Sequence, residues 1–364
     1  MQILFWRVFL SLAVCVLLPL GWGGCVAPCF GCDVPVFRYA LELWPPDDYD
    51  LLVFHRGELL PEERARVEAL QQRIANPAAP ANCVVRTVDL ERNPEDRYLR
   101  LLPNEGDLNL PWVVVLQPPI PQGSRAVWSE TLSKDTLAQL VGSSTLRAIA
   151  QGLLRGEVAV WVFLESGDKA KDKAALELLQ RELKQLERTL EVSTPESLAG
   201  LGTKTVPEEL RASFSVVPVK RSDPSEALPV NMLLRCEPDL EEEAYASEPM
   251  AFPVYGRGRI LYALVGKGIT PRNIREACEF VTGPCSCEVK ALNPGVDLLM
   301  AVDWQSLGGE RLTDSLVLGT AQEAIPSAIQ ASAPQLRYTA IVLLSFAGIV
   351  IIGGLLVVKR GFGS

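Results

Sequence analysis

Cysteines are the side chains of this sequence whose spacing could support chemistry. The stretch ACEFVTGPCSCEVK holds three of them, Cys278, Cys285 and Cys287, and the last two form a C-x-C pair. Closely spaced thiols can exchange disulfides, bind a soft metal, or form the structural bridges of a secreted protein. Which of these applies depends on the compartment and on the fold that positions the sulfurs.

A second group of cysteines follows the apolar N-terminal segment. Cys29 and Cys32 form a C-x-x-C pair ahead of a predicted helix that has Asp33 as its N-cap. The N-terminus of a helix favours a thiolate, so the pair is a candidate redox centre. The alternative is a structural disulfide or tether close to the membrane. The preceding Gly-Gly-Cys25 run is a weak match to a lipoprotein acylation site.

The two ends of the chain predict an exported protein with one membrane span. Residues 1–24 combine an early arginine, an apolar run and small residues, as a signal peptide does. Residues 338–358 are uncharged and long enough to cross the hydrocarbon core as a helix. Basic residues follow the span, so the tail, residues 359–364, is expected in the cytoplasm. We therefore expect a single-pass protein of the cell membrane with an extracytoplasmic ectodomain.

The composition of the ectodomain limits its partners. Without Arg7, Lys359 and Arg360, it carries 32 basic against 44 acidic side chains, which argues against nucleic acid. The run Glu241–Glu243 is predicted to be solvated. His55 is the only histidine, so a multi-histidine metal site is excluded, and at a strand end it is expected to be structural. We expect a membrane and a protein as partners, and no cofactor.

Two stretches of the ectodomain repeat one pattern of a β run, a polar loop and an amphipathic helix. They align without a gap, because Phe54 precedes Gln71 by the same number of residues as Phe163 precedes Gln180. A further β run follows each helix, at residues 83–90 and 213–220. Each half therefore predicts a β-α-β unit.

Each half then continues with a proline-led strand, a second short strand and helices. Pro111 leads this strand in the first half and Pro249 leads it in the second. The Gly-Arg-Gly-Arg turn between the Pro249-led strand and the second short strand, residues 260–265, is predicted to be a hairpin, with anion binding by Arg257 and Arg259 as the alternative. A helix is predicted after Thr270, which is an N-cap residue followed by proline.

This order of elements resembles the thioredoxin-like fold, most closely in PMAFPVYGRGRILYALVGKGITPRNIREACEFV. The resemblance implies an α/β protein with two tandem thioredoxin-like domains, each a mixed sheet flanked by helices, over residues 33–155 and 156–307. It also implies that Pro111 and Pro249 occupy cis-proline positions. Residues 308–337 are predicted to be a stalk that leads to the C-terminal transmembrane helix.

The resemblance does not carry over a catalytic dithiol. The strand-to-helix junctions read HRGE at residues 55–58 and LESG at residues 164–167, and neither contains a cysteine. The leading hypothesis is therefore binding or assembly at the cell surface rather than enzyme activity. A thiol-disulfide oxidoreductase that uses Cys285 and Cys287, or Cys29 and Cys32, is one alternative. A copper-handling protein is another, with the metal candidates Cys278, Cys285 and Cys287.

Structural disulfides are the remaining interpretation of the sulfurs. Cys15 belongs to the signal, which leaves eight of the nine cysteines, enough for four bridges. In an extended chain the Cα atoms of a C-x-C pair lie about 7 Å apart, so a direct bridge needs a strained turn. Otherwise Cys285 and Cys287 each pair elsewhere, with Cys278, Cys236 or Cys83 as candidates. Cys278 lies on the apolar face of its predicted helix, which favours a buried thiol.

Overall fold

The computed structural model describes six stretches of the chain, residues 32–92, 95–103, 108–119, 123–192, 211–285 and 289–305. Those up to Trp304 belong to one compact unit, which contains two mixed β-sheets flanked by helices. The predicted signal peptide, stalk, membrane span and tail lie outside the described residues. Among the helices that the structure does describe, none has the length and hydropathy needed to cross a membrane.

A short strand and a helix precede the first sheet. The elements in this part of the chain are β1 (Cys32–Pro35), α1 (Val36–Leu43), β2 (Tyr49–His55), α2 (Pro61–Ile74), β3 (Cys83–Asp89), α3 (Asp96–Leu99), β4 (Trp112–Leu116) and β5 (Ala126–Thr131). The sheet has the order β3-β2-β4-β5. Strand β2 runs parallel to β3 and antiparallel to β4. The predicted β-α-β unit of the first half is therefore confirmed.

Local sequence accounts for these elements. Strands β2 and β4 are runs of apolar and β-branched residues, and the side chains of Leu52, Phe54 and Val114 are fully buried. Helix α2 begins with a proline and has two glutamates in its first turn, where their negative charges interact favourably with the positive end of the helix dipole. Its buried residues are Val67 and Leu70.

Helices α4 (Thr136–Val141) and α5 (Ser144–Leu154) lead to the second sheet. The remaining elements are β6 (Ala159–Glu165), α6 (Lys169–Thr189), β7 (Phe214–Lys220), α7 (Ala227–Leu234), β8 (Met250–Tyr255), β9 (Arg259–Ile260), β10 (Leu264–Val265), α8 (Pro271–Thr282), β11 (Pro284–Cys285) and β12 (Val296–Asp297). The sheet has the order β12-β9-β8-β6-β7, and β10 also pairs with β8. Because β6 and β7 are parallel, the second β-α-β unit is confirmed as well.

The core of the second half forms between α6, α8 and the sheet. Leu179, Leu183 and Leu186 of α6 are buried in one cluster with Trp161 and Phe163 of β6. The leucine stripe of α6 therefore packs on the protein's own core, as its spacing predicts. Thr270 accepts a hydrogen bond from the N–H of Asn273, 3.2 Å away, so the predicted N-cap of α8 is confirmed.

Three local predictions need correction. Asp33 is not a helix N-cap, because residues 32–35 pair as a strand and α1 begins only after Pro35. The strand predicted over residues 260–265 is interrupted between β9 and β10. The Leu110–Pro111 peptide bond is cis, but the bond that precedes Pro249 is trans, so the cis-proline expectation is wrong at Pro249.

The segment that follows β12 connects the two sheets. It continues past β12 and forms an isolated β-bridge between Ala301 and Ala81, next to β3. The side-chain amide of Asn82 donates to the carbonyl of Leu298 at 3.1 Å, and its oxygen accepts from the N–H of Met300 at 2.8 Å. The hydroxyl of Tyr49 in β2 donates to the carbonyl of Asp297 at 2.7 Å.

Candidate functional site

The junction between β2 and α2, where a thioredoxin would carry its cysteines, is a polar turn. Nδ1 of His55 lies 2.8 Å from the carbonyl oxygen of Gly57, so this histidine takes part in holding the turn. Gly57 has a φ of 65°, a conformation that suits glycine, and its N–H donates to Asp89 at 3.0 Å. Hydrogen bonds from the backbone N–H groups of Glu91 and Gly57 hold the pKa of Asp89 below its ordinary value.

A groove of about 610 Å³ opens beyond the carboxyl ends of β2 and β3. One side is the turn of residues 55–59 together with Arg64 of α2, and Tyr98 of α3 lies on the lining as well. The four consecutive residues Arg86–Asp89 of β3 also line it. The lining of the groove therefore includes the C-terminal half of β3, which is an edge strand of the described sheet.

Charges of both signs surround the groove. Arg64, Arg86 and Arg92 line it together with Glu58, Asp89 and Glu95. Arg86 pairs with Asp50 at 2.8 Å and Arg92 pairs with Asp89 at 3.2 Å, yet both arginine side chains are mostly exposed. None of the described residues that line the groove is a cysteine. The arrangement offers charges of both signs to a polar ligand.

At the equivalent junction of the second half, between β6 and α6, neighbouring side chains hydrogen-bond to the turn. The buried carboxylate of Asp172 accepts from the N–H and hydroxyl of Ser166 at 2.8 Å and from the N–H of Gly167 at 3.0 Å. Nearby, Lys171 pairs with Glu248 at 2.6 Å. Arg221, which follows β7, donates to the carbonyl of Ala246 at 2.7 Å. The segment that precedes β8 is thereby fastened next to this turn.

The interior thiols are unreactive by position. Cys83, Cys236 and Cys278 are free and buried, which contradicts the idea that they bridge Cys285 or Cys287. Burial raises the pKa of Cys83 and of Cys278 to about 12, and it also raises the pKa of Cys236. These thiols stay protonated near neutral pH, and the thiolate is the form that attacks disulfides and binds metals. Within the described residues, no cluster of three or more His, Cys, Asp or Glu side chains could hold a metal ion.

Cys32 and Cys285 are brought together by the fold. Strands β1 and β11 pair antiparallel with Cys32 opposite Cys285 and Pro35 opposite Pro284. One cysteine of the C-x-x-C motif therefore faces one cysteine of the C-x-C motif. Their partners in those motifs, Cys29 and Cys287, lie outside the described residues. No local pattern in the sequence could reveal this proximity, because the two strands are far apart along the chain.

The arginines of the Gly-Arg-Gly-Arg turn have structural roles that the sequence did not indicate. Arg257 donates to the carbonyls of Leu41 and Glu42 at 2.7 and 2.9 Å, at the C-terminal end of α1. Arg259 is buried and pairs with Asp297 at 3.0 Å. Both guanidinium groups are thus engaged inside the protein, which argues against the anion site considered for them. The turn itself is a hairpin between β8 and β9, as predicted.

No protein-family model, no curated protein and no solved structure matches the chain. What the protein does is therefore inferred from the geometry of the described residues, and the thioredoxin-like character stays an interpretation of element order.

Proposed function

We propose that the protein is an exported, membrane-anchored binding or assembly protein with two thioredoxin-like repeats. In this proposal the first repeat binds an extended segment of a partner polypeptide in the groove along β3. The open groove, which lies where a catalytic pair would be and has no cysteine in its described lining, is the observation that supports it best. The apolar segments at residues 1–24 and 338–358 support export and a single span.

The position of β3 at the end of its sheet supports an extended ligand. Among the described residues no strand pairs with its outer side, so its outward N–H and C=O groups can bond to an added strand. Val84, Arg86 and Thr87 of β3 are exposed. The matching edge strand of the second half, β7, contains Pro218, which has no N–H to offer a new strand. The two repeats therefore differ in their capacity to accept a partner.

The charges of the groove indicate what kind of segment it binds. Arginines and acidic side chains both line it, so a peptide with both signs of charge can pair with them, whereas a polyanion would meet Glu58 and Glu95. Thiol-disulfide exchange receives no support from the described interior thiols, which are buried with raised pKa values. The groove thus favours a binding function over an enzymatic one.

A photo-crosslinking experiment tests the groove. Thr87 in β3 and Val217 in β7 occupy equivalent positions, because they lie opposite Val53 and Val162 in the two aligned repeats. A photoreactive benzoylphenylalanine would be placed at either position in the full chain in its native membrane. We expect a polypeptide adduct from position 87 but not from position 217.

A charge reversal then tests whether the groove itself makes the contact. Arg86→Glu should reduce the adduct from position 87 several-fold, because it changes the sign of an exposed groove charge. The charge reversal Lys220→Glu, at an exposed position of the edge strand β7, should leave that adduct unchanged. Equal adducts from positions 87 and 217, or none from position 87, would contradict binding in the groove.

Reporter fusions test the membrane topology separately. A reporter that is active only in the cytoplasm should work when fused after Ser364, because the basic residues that follow the span stay inside. A reporter that is active only outside the cytoplasm should work when the chain is truncated and fused after Trp304. Extracytoplasmic activity of a fusion at Ser364 would overturn the proposed orientation without bearing on the groove.

A further inference from the structure

Strands β1 and β11 form a small antiparallel ladder that joins the start of the described chain to the end of α8. Cys32 stands opposite Cys285 in this ladder. The N–H of Val36 donates to the carbonyl of Gly283 at 3.0 Å, immediately beyond the paired strands. The carbonyls at the other end of α1 bond to Arg257. Hydrogen bonds thus hold both ends of α1, the helix that follows Cys32.

The spacing of an antiparallel ladder is compatible with a disulfide. In a regular ladder, residues that stand opposite each other have Cα atoms about 4.5–5.5 Å apart, and disulfides span Cα separations of about 4.4–6.8 Å. The register of β1 and β11 shifts between Cys32 and Pro35, and Cys32 and Cys285 are the pair at one end of this ladder. A direct bridge within the C-x-C motif is less favourable, because in an extended chain the Cα atoms of such a pair are separated by about 7 Å. The other described cysteines, Cys83, Cys236 and Cys278, are free and buried in the interior.

We propose that Cys32 and Cys285 form a disulfide that fastens the membrane-proximal N-terminal strand to the end of the second repeat. The proposal needs the oxidising compartment that export would supply, but it does not depend on whether the groove binds a partner. The C-x-x-C and C-x-C motifs, which resemble redox centres, then each supply one cysteine to a single structural disulfide.

The bond forms by thiol-disulfide exchange with an oxidised protein disulfide of that compartment. The Cys32 thiol loses its proton, and the thiolate attacks one sulfur of the oxidant, whose other sulfur leaves as a thiolate and takes up a proton. The thiolate of Cys285 then attacks the Cys32 sulfur of this mixed disulfide. The Cys32–Cys285 bond results, and the oxidant is released as two thiols.

Cleavage with cyanogen bromide tests the bond, because methionines lie between the two cysteines. The chain contains Met1, Met232, Met250 and Met300, so Cys32 and Cys285 fall on different fragments. The full chain would be purified from membranes after its free thiols are blocked with N-ethylmaleimide. We expect the fragment that ends at Met232 and the fragment 251–300 to stay joined until a reductant is added. Tandem mass spectrometry of the joined pair should place the bond between Cys32 and Cys285.

Serine substitutions show which cysteines form the bond. The double variant Cys29→Ser/Cys287→Ser should keep the fragments joined to the same extent as the unsubstituted chain. A third change, Cys285→Ser, should lower the joined fraction to the level seen with reductant. As a matched control, adding Cys278→Ser to the double variant should leave the fragments joined, because that thiol is free.

Two results would overturn the proposal. One is separation of the fragments in the Cys29→Ser/Cys287→Ser variant, since the bridge would then require the other cysteines. The other is a chain that is purified with all these thiols reduced and with zinc or copper at a fixed ratio, which would make the cysteines metal ligands. Neither result would alter the photo-crosslinking outcome, so failure of the bridge and failure of the groove are distinguishable.

Discussion

At the scale of single residues, Glu226 is a buried carboxylate that accepts four hydrogen bonds from described residues. It lies just before α7 and accepts from the hydroxyls of Ser143 and Ser144, and from the N–H groups of Ser144 at 2.9 Å and Thr145 at 3.3 Å. It therefore satisfies free N–H groups at the start of α5, near the positive end of that helix dipole. Burial raises the pKa of Glu226, but the hydrogen bonds outweigh it and the pKa lies below its ordinary value.

Glu226→Gln should lower the free energy of unfolding at neutral pH by about 1–3 kcal/mol, because hydrogen bonds to a charged group are replaced by weaker ones. A depressed pKa means that the folded state holds the proton less tightly than the unfolded state does. The stabilisation is therefore present above the ordinary pKa of glutamate, about 4.3, and is lost as the pH falls through the lower folded value. Urea unfolding of both proteins from pH 7 to pH 3 measures this difference.

The exposed Glu243 provides the control for that measurement. It lies in a short surface turn, so Glu243→Gln should change stability by less than about 0.5 kcal/mol. A difference between Glu226→Gln and the unsubstituted protein that stays constant down to pH 3 would show that the carboxylate charge is not what stabilises the start of α5.

At the scale of elements, the sequence predicts those features that depend on local pattern. Strands β2 and β6, helices α2 and α6, and strands β3 and β7 follow from apolar periodicity and from the ungapped repeat. The N-cap of α8 follows from Thr270 and the proline after it. Hydrophobic period and capping are properties of neighbouring residues, so a single sequence is sufficient to place these elements.

Pairings between distant segments could not be predicted in the same way. Nothing near Cys32 indicates that residues 32–35 are a strand, because their partner β11 lies at the other end of the described chain. Asp33 is a good N-cap residue, yet this pairing moves the start of α1 to Val36. The two proline-led strands look alike in sequence, but only the first follows a cis bond.

The candidate site was predictable in part, for the same reason. The lack of cysteine at the two strand-helix junctions is visible in the sequence, and so is the position of His55 at a strand end. The difference between the two junctions is not visible. It depends in part on Lys171 and Arg221, whose bonds to the segment that precedes β8 join parts of the chain that a local pattern does not connect.

At the scale of the whole molecule, polar contacts join the two sheets. Glu241, predicted to be solvated, lies at the surface but pairs with Arg125 of the first half at 2.9 Å and with Arg235 of its own half at 3.0 Å. Surface pairs of this kind contribute little each. Asn82 is different, because it is buried and its side chain bonds to Asp47, which precedes β2, and to Leu298 and Met300, which follow β12.

The two sheets should therefore unfold in one cooperative transition rather than as separate domains. Asn82→Ala leaves the N–H of Met300 and the carbonyls of Leu298 and Asp47 without this partner, which should cost about 2–3 kcal/mol. Because Asn82 lies between the sheets, the loss should appear in both. Hydrogen exchange in increasing urea should show the amides of β4 and β8 losing protection together, at a lower urea concentration than in the unsubstituted protein.

Asn76→Ala, which removes only a bond within its own turn, should shift neither set by more than about 0.5 kcal/mol. If Asn82→Ala weakened β4 and left β8 unchanged, the two halves would be independent domains, and the segment after β12 would be a local support of the first sheet alone.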